Sequence, residues 1–84
     1  MRLDGNAAAG VLSEVFATEV TSARGACAWC GVIAPIGEQR LYQNPGAPGG
    51  VLRCHACDGA MMVFVRRENT LRVGIPGVRW LELV

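Results

Sequence analysis

The sequence predicts a small α+β domain, mainly strands, assembled around one four-cysteine metal site. Three observations carry this expectation. Two cysteine pairs of identical spacing, CAWC at 27–30 and CHAC at 54–57, account for every cysteine in the chain. Apolar residues near the N-terminus recur at helical spacing, whereas the chain beyond residue 20 is rich in β-branched residues broken by glycine and proline. A chain of 84 residues also buries only roughly 60–65 % of the surface that its unfolded form exposes, so its core needs a supplement.

The first element expected is an amphipathic helix over 4–17, with Ala8, Val11, Leu12, Val15 and Phe16 on one stripe. Asp4 or Asn6 is its candidate N-cap, because a short polar side chain there accepts bonds from the free amides of the first turn. A β domain over 20–84 follows, and together they make one domain, 1–84. Within it, EVTSARGAC leads as a strand into the first cysteine pair. VIAPIGEQRLYQ supplies two short extended pieces around Pro35 and Gly37, and NPGAPGG at 44–50 is a turn-rich loop. Val51 to Arg53 returns the chain to the second pair. Beyond Gly59, AMMVFVRR, TLRVGI and VRWLELV are expected to form a three-stranded antiparallel meander. Tyr42, Met61, Met62, Phe64 and Trp80 alternate along these strands as candidate core residues.

Cys27, Cys30, Cys54 and Cys57 are the candidate metal ligands. Two intervening residues let a tight turn aim both sulfurs of a pair at one ion, and the turn that follows favours residues tolerant of positive φ. Gly31 follows the first pair and Asp58–Gly59 the second. Four thiolates in a tetrahedron suit one Zn2+, and a site without an open position is structural. One iron in the same S4 set is the alternative, which would make the domain an electron carrier like the rubredoxins, although those read C-P-x-C-G at the second knuckle and are more acidic and aromatic. A redox dithiol is disfavoured because neither pair opens a helix after a βαβ strand.

Charge bounds the partner. Eight arginines, with no lysine, oppose seven acids for a net charge of +1, and four thiolates around a divalent cation bring the loaded domain near −1. That is a poor match to a phosphate backbone. Arg66 and Arg67, with Arg72 and Arg79, nevertheless offer a basic sheet face, so nucleic acid remains a candidate partner that the composition does not favour. Another protein is the favoured one, with Trp29 and His55, each inside a cysteine pair, as candidate contacts. No apolar run approaches the ~20 residues of a membrane span, and no export signal is visible, which sets a cytoplasmic location as the expectation. No serine–histidine–acid set, paired carboxylates or phosphate loop is present, so the domain is expected to be non-catalytic.

On residues 27–31 and 54–59 the chain resembles the zinc ribbons, in which two knuckles at hairpin tips clamp one zinc. As a whole, from LDGNAAAGVLSEVFATEVT through the two pairs to the β-rich end, it is similar to a family of short bacterial proteins of unassigned function. That resemblance implies the four ligands, no activity, and a partner in a redox system.

Overall fold

The computed structural model describes residues 2–5, 21–44, 46 and 48–83. Its strands form two antiparallel sheets. The larger runs β1 (Arg2–Asp4), β4 (Arg40–Tyr42), β5 (Gly49–Arg53), β6 (Ala60–Arg67) and β7 (Thr70–Gly74) in that lateral order. The smaller sets β2 (Arg24–Cys27) between β3 (Ile33–Pro35) and β8 (Val78–Glu82).

The register of the large sheet explains its buried face. Leu41 opposes Leu52, and Leu52 opposes Met62, so three apolar side chains fall in one cross-strand row; Phe64 stands two residues further along β6. Ala23 and Ile36 complete the core from the side of the small sheet, with Val73, Val78 and Leu81 at its margin. Ile36 begins a 3-10 turn, Ile36–Glu38, that carries the chain from one sheet to the other. Its amide donates to the Ala23 carbonyl at 2.9 Å, and its side chain is fully buried. Burial of each such aliphatic side chain contributes roughly 1.5–3 kcal/mol.

Two features of the expected architecture are overturned. The first is the start at Asp4 of the helix expected over 4–17. Asp4 does not cap a helix but closes β1, where it opposes Arg40 of β4. No helix of seven or more residues occurs among the described residues, so the fold is mostly β and not α+β. The remainder of that span, 6–17, lies outside the described residues, as does the candidate cap Asn6. The second is the C-terminal meander. β6 and β7 pair as a hairpin, but β8 leaves the large sheet and pairs with β2. Pro76 cannot continue a ladder, and Gly77 ties the turn elsewhere: its amide donates to the Met61 carbonyl at 3.2 Å, and its carbonyl accepts from the Ala28 amide at 2.8 Å. A side chain at Gly77 would collide with the Ala60 carbonyl.

Of the candidate core residues, Met61, Met62 and Phe64 are buried, Tyr42 is half-buried, and Trp80 is 41 % exposed. Met61 and Met62 are adjacent yet both buried because they face different clusters. Met62 enters the inter-sheet core, while Met61 packs with Cys27 and Cys54.

Candidate metal centre

The two cysteine pairs occupy equivalent turns. In the first, the Cys27 amide donates to the Val32 carbonyl and the Gly31 amide to the Cys27 carbonyl, both at 2.9 Å. In the second, the Cys54 amide donates to the Gly59 carbonyl and the Asp58 amide to the Cys54 carbonyl, again at 2.9 Å. Each knuckle is thus the same closed loop with the same offsets. Each also needs one left-handed residue: Gly31 has φ of 82° and Asp58 of 63°. Asp tolerates this region better than most side chains do. The first knuckle joins β2 to β3 and the second joins β5 to β6, so one comes from each sheet.

The four sulfurs lie within 4.8 Å of one another. Cys27 and Cys57 approach to 3.7 Å, as do Cys30 and Cys54, so both close approaches cross from one knuckle to the other. A metal–sulfur length of about 2.3 Å in a tetrahedron requires sulfur–sulfur edges of about 3.8 Å, which these distances match. Cys27 and Cys54 are buried; Cys30 and Cys57 are exposed. The Ala56 amide points at Cys54 Sγ and the Gly59 amide at Cys57 Sγ, each at 3.4 Å, favouring thiolate sulfur.

The thiols differ in acidity. Burial opposes ionisation of Cys27, but the amides of Cys30 and Trp29 and the thiols of Cys57 and Cys30 outweigh it and bring its pKa to about 7. At Cys57 the Gly59 amide favours the thiolate, yet desolvation and the three neighbouring sulfurs prevail and push the pKa up to about 12. Cys30 is raised as well: the Val32 amide favours its thiolate, and desolvation with the Cys54 and Cys27 sulfurs outweighs that. Four like charges gather within this space only when a cation balances them, so the cluster takes its full thiolate form together with a metal.

Around the sulfurs, three supports were not legible in the sequence. Gln39, 1 % exposed, accepts at Oε1 from the His55 amide at 2.9 Å and donates from Nε2 to the Pro35 carbonyl at 3.1 Å. His55 Nδ1 lies 3.0 Å from the same Oε1, so Nδ1 carries the proton and donates. His55, a candidate contact, is therefore half-buried and tethered. Second, Tyr42 Oη donates to Asp58 Oδ1 at 3.3 Å, and Arg53 donates to the Asp58 carbonyl at 3.0 Å while its guanidinium lies over the Tyr42 ring. Third, Trp29, 60 % exposed, donates from Nε1 to the Ala60 carbonyl at 2.8 Å. Its indole lies against Gly59, where any side chain would strike it, so the first knuckle is latched to the trailing edge of the second.

The arginines do not gather. Arg67 shares a face of the large sheet with Arg72, which opposes Val65 two residues before it. Arg66 falls on the opposite face, and Arg79 belongs to β8 of the small sheet. Both Arg66 and Arg67 are exposed. No helix among the described residues is long and apolar enough to cross a membrane.

A small, mostly β protein with two equivalent CxxC turns converging on one point carries a zinc-ribbon-like four-cysteine site. The chain belongs to a family of unknown function, DUF6510, whose family model matches residues 1–84. A search of curated proteins and a search of solved structures each gave no match.

Proposed function

We propose that the cluster holds one structural Zn2+ and that the domain is a non-catalytic protein-interaction module. The sulfur geometry carries the first half of this reading: four thiols with cross-knuckle distances of 3.7 Å, all four positions filled by protein, leave no coordination site for a substrate. Trp29 supports the second half. Its Nε1 is already held by Ala60, so the ring is a rigid, solvent-facing anchor that loses little entropy on binding. His55 Nε2, free of the tether at Nδ1, is the polar contact nearest the second cysteine pair. The favoured partner is another protein, such as a component of a redox system.

Metal analysis by mass spectrometry with a visible spectrum tests the site. One zinc per chain and no colour is the expected result. Trp29→Ala is expected to weaken partner capture at least about tenfold without changing metal content, as hot-spot aromatics do; equal capture would remove Trp29 from the interface. A single-iron electron carrier is the second reading, favoured by the exposure of Cys30 and Cys57, which brings the metal near the surface where electrons pass between proteins. One iron per chain with charge-transfer bands and a reversible one-electron couple would establish it. Nucleic acid is the reading that the scattered arginines serve least, and it predicts retention on heparin that falls steeply with salt.

A further inference from the structure

The outer face of the small sheet has its own chemistry, separate from the knuckles. Ile33, Ala26 and Trp80 are directly opposed in one cross-strand row; Pro35, Arg24 and Glu82 form the next. Pleating places all six on one side. That side faces outward, because the intervening Gly25 looks at Ile36 and Leu81 of the core. Ala26 is buried between Ile33, 48 % exposed, and Trp80, 41 % exposed; Arg24 and Glu82 are exposed.

We propose that this face binds a second copy of the chain, related by a two-fold axis that runs parallel to the strands and midway between β2 and β8. Such an axis lays β2 of one copy over β8 of the other. Each Trp80 then sits above the small Ala26 position of the second copy, and each Arg24 sits above a Glu82, so both charges are matched twice. The alternatives fail on charge or shape. An axis over β2 itself stacks Arg24 on Arg24, and one perpendicular to the strands sets Trp80 against Glu82. A patch complementary to itself under one two-fold is what a closed, isologous dimer requires. Sheets packed face to face stand about 10 Å apart, a gap that an indole over an alanine fills. Six residues are far fewer than the roughly 20–30 a side of a standard interface, so the dimer is weak, concentration-dependent and loosened by salt.

This inference goes beyond the proposed function and is independent of which metal is bound or what Trp29 contacts. Sedimentation equilibrium of the metal-loaded full chain from about 10 μM to about 1 mM, a window suited to weak association, is the test. Reversible dimerisation is expected. Arg24→Glu and Glu82→Arg should each weaken it by about tenfold or more, roughly the loss of one charge-matched contact made twice, and the double reversal should restore it. A chain monomeric at every concentration, single reversals without effect, or a double variant no better than the singles would each overturn the proposal. Concentration-dependent amide shifts of the unmodified protein provide a check that needs no variant. They should concentrate on Arg24, Ala26, Ile33, Trp80 and Glu82, and shifts confined to the knuckles or to the large sheet would also overturn it.

Discussion

At Gln39 a single buried amide ties the second knuckle to β3, accepting from His55 and donating to the Pro35 carbonyl. Gln39→Leu fills the same space but leaves the His55 amide and the Pro35 carbonyl without that partner. A buried polar group so orphaned costs about 1–3 kcal/mol, and urea unfolding of the metal-loaded protein should show that loss while metal content stays unchanged. Gly31→Ala acts on backbone instead of on a contact. At φ of 82° an added Cβ costs roughly 1–2 kcal/mol, which should appear as a comparable loss of stability in the same assay. The two residues also differ in how legible they were. A glycine after a cysteine pair announces a left-handed turn, because the requirement is local. Nothing local distinguishes Gln39, whose partner lies sixteen residues away and meets it only after β4 and β5 have paired.

Each knuckle works as a unit, and the unequal acidities of its sulfurs set how metal binding responds to pH. Cys30 is raised and Cys57 is pushed up to about 12, so both resist ionisation and surrender protons on metal binding. The sign follows directly: affinity rises with pH and falls with acid. Competition with a chelator of known affinity across about pH 6–9 should show this rise, since each proton released on binding adds to the pH dependence. Strand legibility divides along a similar line. The extended pieces flanking the cysteines were readable from β-branched runs and turn residues, but the partner of β8 was not. Alternation reports which face a residue occupies and says nothing of which sheet it joins. The exposed Trp80 has the same cause: its strand borders the small sheet, and its side chain lies on the outer face.

Over the whole molecule, the four-cysteine cluster is the tie between two sheets, since each contributes one knuckle. Among the described residues the inter-sheet core is small: six buried residues, Ala23, Ile36, Leu41, Leu52, Met62 and Phe64. Structural zinc contributes an apparent stabilisation of roughly 10–16 kcal/mol in zinc-finger peptides, as much as the whole net stability of a typical domain. Chelation should therefore collapse the β signal in far-ultraviolet circular dichroism, and added zinc should restore it. Retention of the full signal after metal removal would show that the core suffices by itself. The convergence of the four cysteines was legible from their spacing; the division into two sheets was not, because it depends on pairings between distant segments.

The pairing of β2 with β8 has one more consequence, which concerns the order of events on the ribosome. Arg24 finds its neighbour at Glu82, far along the chain, whereas β5 and β6 are joined by nothing more than the second knuckle. The hairpin bearing Cys54 and Cys57 is complete while β8 is still being synthesised. The first cysteine pair, although translated earlier, waits for β8 before its sheet closes. A nascent chain should thus take up its metal at the later pair first, and the earlier-made half of the site should be the last to lock.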